Sequence, residues 1–453
     1  MSLLRVGARA HIVGIGGAGM SGLARLLIEM GAHVSGSDAV DSPLLDQLRD
    51  EGITITIGHA SLNVDAAEVV LWSPAIAGDN IELVAARING ATLLSRAEIL
   101  AELGHLRQII GLTGTHGKTT ATSMMVHVML AHGGDDGRLI GADVLGVGAN
   151  GHWGSGDLIV EVDESFGSFA LLSPHALGLL NVEVDHLDHY GSLDALEAAF
   201  TNLLNRVTGP IVVWHDDAGV RRVVKGVTRD LLRVGIDSNL DWVVENIELT
   251  RRGASFSLRG PNEEFAVTLA VIGVHNVANA AVVAVLARSL GVSGSAISEG
   301  LARFQGAPRR FQFVGTWKGV EVYEDYAHLP GEIAATLAAT RASGYEHITV
   351  VFQPHRITRT RSLAPMFARV FDEAASVIVT DIYSAGEANP DEITGEIVAN
   401  AISDYRPYGV TYCQSLGDVP TALAPLRVDS DVILLLGAGD MASVVVPLLE
   451  GIS

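Results

Sequence analysis

Short apolar runs recur along the whole chain, each closed by a glycine or an acid and followed by a longer segment of helical pattern. His11-Ile12-Val13, Ile53 to Ile57, Val69 to Trp72, Ile109 to Leu112, Leu158 to Val162, Ile348 to Phe352 and Val432 to Leu436 are the clearest of these runs. Apolar runs of strand length that alternate with helices predict βαβ units and parallel sheets. Helices are predicted from the first glycine turn to about Met30, from Lys118 to about His132, and from Gly273 to near Gly291. The stretch from about Asp237 to Thr268 alternates apolar and polar residues between turns, which predicts an antiparallel accessory part. Trp214 and Trp242 fall in strand-like runs and are expected in the core.

Length and charge narrow the class. A chain of 453 residues should form about three domains, each with its own core. The boundaries are placed at 1–106, 107–308 and 309–453, the second beside Gly306-Ala307-Pro308. Lys plus Arg is 30 against 52 for Asp plus Glu, a net charge of −22, which argues against nucleic acid as a partner. Cys413 is the only cysteine and the N-terminus has no secretory pattern. No apolar run is long enough to cross a membrane. A cytoplasmic enzyme, monomer or homodimer, is expected.

Gly114-Thr115-His116-Gly117-Lys118-Thr119-Thr120 lies between a strand and a helix. Such a turn gathers backbone N–H groups at the positive end of a helix and holds phosphate. Lys118 would add a charge for the outer phosphates and Thr119 a hydroxyl for Mg²⁺. Gly14, Gly16 and Gly19 form a second glycine turn, G-x-G-x-x-G, with Asp38 closing the next strand. That pattern suits a dinucleotide or the diphosphate of a nucleotide sugar. An NAD-dependent oxidoreductase or dinucleotide sensor is therefore a reading to weigh, although no hydride-transfer constellation follows.

Other strand ends carry chemistry as well. Leu158 to Val162 runs into Asp163 and Glu164, and alternation puts Glu161 and Asp163 on one face. Leu179 to Val184 runs into Asp185 and His186. Strand ends of this kind are where ligands bind in open α/β sheets. His275-Asn276-Val277-Ala278-Asn279 places amides one helical turn apart, suited to an adenine edge. Near the C-terminus, Gln353-Pro354-His355-Arg356-Ile357-Thr358-Arg359-Thr360-Arg361 empties a strand into a dense cationic loop. In so acidic a protein, that loop points to an anionic ligand.

The turn Thr113 to Thr120, together with Glu161–Glu164, Asp185-His186, the Asn276/Asn279 pair, Arg309-Arg310-Phe311 and the 353–361 loop, resembles the Mur ligase family. The resemblance spans residues 11 to 441. It implies three α/β domains: a Rossmann-like UDP-binding domain, a central P-loop-type ATPase and a C-terminal Rossmann-like domain. ATP and Mg²⁺ would be the cofactors, with UDP-N-acetylmuramate and L-alanine as substrates. The alternative within the family is the recycling ligase that attaches a tripeptide to the same nucleotide sugar. By motif position the resemblance gives ATP the residues Gly114, Thr115, His116, Gly117, Lys118, Thr119, Thr120, Asn276, Asn279 and Asp325. Mg²⁺ would take Thr119, Glu161 and His186. The nucleotide sugar would take Gly16, Gly17, Ala18, Gly19, Met20, Ser21, Asp38, His59 and Ser73, and Tyr326 would line the acceptor site. Lys118, Arg310, His328, His355, Arg356 and Arg359 would be catalytic. Phe166 and Leu329 depart from the family, which has Asp and His at those positions.

Overall fold

The structure, a computed structural model, describes residues 4–73 and 75–450, apart from the side chains of Phe166, Leu187, Asp188 and residues 427–429. The departure at Phe166 therefore falls outside the described side chains. Three mainly parallel sheets organise the chain, as alternating apolar runs and helices require.

In the first sheet, strand Arg9–Val13 lies at the centre. His33–Asp38 and then Thr54–Ile57 lie on one side, Val69–Trp72 and then Thr92–Ser95 on the other, all parallel. The chain reverses direction across the sheet at Arg9–Val13, so its carboxyl end is the crevice in which such sheets bind ligands. Helix Ala18–Glu29 starts there, with Gly17 as its cap.

The second sheet has ten strands. Ile109–Thr113 is fully buried and runs parallel between Leu158–Val162 and Ala176–Leu179. Continuous Val, Ile and Leu in these strands fit a sheet covered on both faces. The stretch expected as an accessory part extends this sheet instead. Trp242–Thr250 pairs parallel with Leu232–Gly235, and Gly253–Arg259 and Glu264–Leu269 follow in order to the edge. Trp242 is buried, as its apolar run predicts.

These two sheets belong to one compact unit, residues 1–247, 255–269 and 275–305. Helix Ala18–Glu29 is the seam. Asn150 Nδ2 donates to Ala18 O at 2.7 Å and to Ser21 Oγ at 3.2 Å, while Arg25 donates to Asn150 Oδ1 at 2.7 Å. Gly22 and Gly151 bring the backbones so close that a Cβ on Gly151 would lie 1.9 Å from Gly22 O.

The other unit comprises 248–254, 270–274 and 306–453. Its sheet pairs Gln312–Trp317 antiparallel with Val320–Asp325 and continues parallel through Val432–Leu436, Ile348–Phe352, Ser376–Thr380 and Val410–Cys413. No helix among the described residues is long and apolar enough to cross a membrane.

Candidate functional site

The glycine turn after Ile109–Thr113 is fixed from three sides. Gly117 has φ +80°, a left-handed conformation that L side chains rarely adopt, and it caps helix Lys118–Ala131. Asn279 lies against it: a Cβ on Gly117 would come within 2.8 Å of Asn279 Oδ1. Asn279 Nδ2 in turn reaches Asn276 Oδ1 at 3.5 Å, so the two amides expected at adenine sit together beside the turn. On another side Asn181 clamps the turn. Its Oδ1 accepts from His116 N at 2.8 Å and its Nδ2 donates to His116 O at 3.0 Å. Thr115 Oγ1 accepts from Glu183 N at 2.9 Å. Thr120 is buried on the inner side of the helix.

Lys118 Nζ folds back over this turn. It donates to Gly114 O at 2.8 Å and Thr115 O at 3.1 Å, and it meets both oxygens of Glu164 at 2.8 and 3.1 Å. Burial works against the lysine's charge, but Glu164 and Asp163 outweigh it and hold the amine protonated above its ordinary range. Glu164 is fully buried, and burial pushes its pKa up against the pull of Lys118. Asp163 is held below the usual range: burial raises it, and Lys118, the Ser165 N–H and hydroxyl and Arg96 together outweigh that. Tyr190 donates to Glu164 O at 2.6 Å, and its pKa is pushed up to about 12 by burial and the two acids.

Glu161 meets the residue that follows Lys118. Its carboxylate accepts from Thr119 Oγ1 at 3.0 and 3.1 Å and from Gly141 N at 2.8 Å. His186 has φ +50° and its Nε2 lies 3.7 Å from Glu164 Oε1. Of the three residues expected for Mg²⁺, Thr119 meets Glu161, while His186 lies beside Glu164, which was not among them. One oxygen of Asp163, one of Glu164 and a nitrogen of His186 lie within 4.8 Å of one another. Hydroxyl and carboxylate oxygens with one imidazole suit a hard divalent cation. Glu164 and Asn181 carry no role in the sequence reading. Each stands two residues after a strand next to Ile109–Thr113, which is the only signal that singles them out.

The N-terminal turn is closed by its own acid. Asp38 Oδ2 accepts from Gly16 N at 2.9 Å. Met20 and Ser21 are buried, Met20 in the core and Ser21 in the seam, so neither side chain faces a ligand and only the backbone of the helix start can. Ser73 Oγ caps its own turn by accepting from Ala75 N at 3.3 Å. His59 is oriented by Glu82, whose fully buried carboxylate lies 2.9 Å from His59 Nδ1. Ser37 Oγ donates to that carboxylate at 2.6 Å and Asn63 Nδ2 at 2.5 Å. Burial alone would raise Glu82, yet the His11 imidazole 3.9 Å away and hydrogen bonds from Ser37, Asn63 and His59 bring its pKa down to about 2.

In the other unit, Asp325 spends both oxygens on backbone. Phe311 N and Ala327 N each donate to it at 2.7 Å. The sequence reading aims Asp325 at ATP; its geometry makes it a brace for the segment that carries Arg310. Burial pushes its carboxyl up to about 6. Arg309 is tied to Glu324 at 2.8 Å and to the carbonyls of Gly437 and Gly439, whereas Arg310 is exposed with its guanidinium 5.1 Å from the Tyr326 ring centre. His355 stacks on Tyr383 and meets His328 edge-on, both with centroids 5.5 Å apart. Arg359 Nη1 lies 3.3 Å from His355 Nδ1. Burial, reinforced by His328, Arg359 and Arg356, lowers His355 to about 4, and burial lowers His328 as well. Arg356 does not face an acceptor. It pairs with Glu387 at 2.6 Å, and Arg361 pairs with Asp391, so the cationic loop is largely neutralised by local acids. Leu329 caps helix Pro330–Ala342 with its backbone, where Glu332 accepts from its N–H at 3.1 Å.

A clamped glycine turn, a half-buried lysine folded back over it, and one hydroxyl–carboxylate and one imidazole–carboxylate pair beside it are the arrangement of an ATP-dependent enzyme of the α/β class. Family models match residues 9–108 ("Mur ligase family, catalytic domain"), 158–287 ("Mur ligase middle domain") and 309–439 ("Mur ligase, glutamate ligase domain"). The chain belongs to the Mur ligase family. Its relatives include UDP-N-acetylmuramate–L-alanine ligase of Myxococcus xanthus, 38% identical and covering 98% of this chain and 95% of that protein. The protein of the same name in Thermobifida fusca is 39% identical and covers 96% and 94%. The crystal structure of UDP-N-acetylmuramate-alanine ligase from Thermotoga maritima aligns with TM-score 0.83 at 27% identity, covering 98% of both chains.

Proposed function

We propose that this chain joins L-alanine to UDP-N-acetylmuramate, with ATP as the energy source, in peptidoglycan precursor synthesis. The observation that carries the proposal is the Lys118 site. One half-buried amine, the Asp163–Glu164 acids with His186, and the Thr119 hydroxyl on Glu161 stand at the ends of three adjacent strands on a chain whose full-length relatives bear that activity's name.

A free carboxylate acylates poorly because oxide is a bad leaving group. In the proposed reaction a carboxylate oxygen of the sugar acid bonds to the γ-phosphorus, and the bond to ADP breaks. The alanine amine then attacks the acyl carbon of the resulting acyl phosphate, and phosphate departs with the transferred oxygen. Lys118, Thr115, His116 and the N–H groups of residues 114–120 would hold the triphosphate, and Lys118 would neutralise charge on the moving phosphoryl. Thr119, Glu161 and His186 would hold Mg²⁺, joined by Glu164, and the ion would supply Lewis-acid charge. Asn276 and Asn279 would take the adenine. Gly16, Gly17, Ala18 and Gly19 would take the diphosphate through backbone N–H groups, with Asp38 and His59 lining the nucleoside. Neutral imidazoles at His328 and His355 leave Arg359 as the cation for the acceptor's carboxylate, and Arg310 is assigned to phosphate charge.

The test is phosphate release measured with ATP, UDP-N-acetylmuramate and L-alanine each omitted in turn, then with tripeptide replacing alanine. Release that needs all three supports the proposal. Preference for tripeptide transfers it to the recycling ligase. Lys118→Ala should abolish release while the melting profile stays cooperative.

A further inference from the structure

Arg96 is the first residue of helix Arg96–Leu106, whose cap Ser95 forms a reciprocal hydrogen-bonded box with Glu98. Its guanidinium lies over the third glycine of the N-terminal turn: a Cβ on Gly19 would be 2.2 Å from Arg96 Nη1 and 2.9 Å from Cζ. Gly19 thus leaves the space that this side chain fills.

The electrostatics of that position are unfavourable. Two helices, Ala18–Glu29 and Arg96–Leu106, present their N-terminal ends to it, and both ends carry positive partial charge. Other buried and half-buried arginines of the described residues reach an acid, a carbonyl or a ring nitrogen. Arg25 has Glu51 and Asn150, Arg107 the carbonyls of 153, 154 and 156, and Arg206 those of Phe169 and Leu172. The Arg96 side chain is half-buried and makes no hydrogen bond or ion pair within 4 Å among the described residues. Asp163 feels its charge, but Asp163 already has Lys118. A half-buried cation at two like-signed helix ends, in a protein with 22 surplus negative charges, calls for an anion from outside the chain.

We propose that Arg96 is a substrate-binding residue that grips the diphosphate of a nucleoside diphosphate seated on the Gly14–Gly19 turn. The inference rests on the nucleotide-sugar reading above and adds a side chain to a site otherwise made of backbone N–H groups. Arg presents a planar fork of donors that matches two phosphate oxygens, so the contact is charge-assisted and bidentate. Asp38 closes the same turn from the neighbouring strand through Gly16 N, so the turn's acid and its cation stand at different glycines.

The experiment compares binding of UDP, uridine and ATP to the full chain, for the unaltered protein and for Arg96→Gln and Arg96→Lys. Arg96→Gln keeps most of the stem, and an unchanged melting temperature establishes that it folds. The expected result is a Kd for UDP raised about 10- to 100-fold in Arg96→Gln, as loss of a charge-assisted pair implies. Uridine and ATP binding should be unchanged, and Arg96→Lys should recover part of the loss. Equal UDP affinity in a folded Arg96→Gln overturns the role of Arg96, as does an equal loss for uridine, which marks a structural effect. If the unaltered protein binds neither UDP nor UDP-N-acetylmuramate, the nucleotide-sugar reading itself falls, and the inference with it.

Discussion

Asn181→Ala is the sharpest probe of the ATP turn, because Asn181 touches the turn twice and belongs to none of its motifs. The substitution removes the bond from His116 N at 2.8 Å and the bond to His116 O at 3.0 Å. The backbone bond from Thr115 N to Asn181 O, at 3.1 Å, survives. Two neutral hydrogen bonds contribute about 0.5–1.5 kcal/mol each, and the exposed His116 backbone regains water when they are lost. The turn's ordered state should therefore weaken by ~2 kcal/mol. Since about 1.4 kcal/mol is a factor of ten, ordering the turn on binding would cost roughly 30-fold in ATP affinity. The assay is equilibrium titration with a fluorescent ATP analogue, with KM for ATP from phosphate release as a second reading. KM for the nucleotide sugar should not move. An ATP affinity within twofold of the unaltered protein would refute the claim that Asn181 preorganises the turn.

Glu82 carries a pH signature. Its pKa is about 2 in the fold against 4.5 for the free side chain, so its stabilising effect is complete above pH 4.5 and is lost as pH falls toward 2. The shift corresponds to roughly 3 kcal/mol. Urea unfolding of Glu82→Gln between pH 2 and 5 should show a flatter dependence than the parent, and an identical slope would contradict it. His355, lowered to about 4, works in the same direction: its neutral form is favoured in the fold, so stability falls as pH drops from about 6.5 toward 4. His355→Phe should remove that segment of the pH–stability curve. Gly151→Ala would drive a methyl to 1.9 Å from Gly22 O. Parting the seam should lower stability by ~1–3 kcal/mol or more, read as a drop in melting temperature, while Gly78→Ala, with open space around its Cβ and no left-handed backbone, serves as the glycine control.

What the sequence made legible follows a physical division. Strands such as Ile109–Thr113 and Val432–Leu436 are apolar on both faces, and that continuous pattern survives in the one-dimensional string. The glycine turns were legible because phosphate binding needs a glycine at a left-handed position such as Gly117. Residues whose role depends on a distant partner were not. Glu82 lies in an ordinary helical sequence, and only folding brings His11, Ser37, His59 and Asn63 to its carboxylate. Motif position alone assigned Asp325 to ATP, yet two backbone N–H groups use both its oxygens. Arg356 looked like an anion contact because cations cluster around it, but Glu387 lies thirty-one positions away in sequence and 2.6 Å away in space. The stretch from about Asp237 to Thr268 alternates as an antiparallel accessory part would, and it joins the large sheet because Trp242–Thr250 finds Leu232–Gly235 as a parallel neighbour.

The central claim is that a sugar-linked carboxylate is phosphorylated at the Lys118 site before an amine displaces the phosphate. Oxygen-18 in the carboxylate of UDP-N-acetylmuramate tests this directly, with the released phosphate analysed by mass spectrometry. The account predicts one oxygen-18 in each phosphate formed, together with an amide product that has lost one label. Phosphate that carries no label, or that forms at the same rate without the sugar acid, would contradict it.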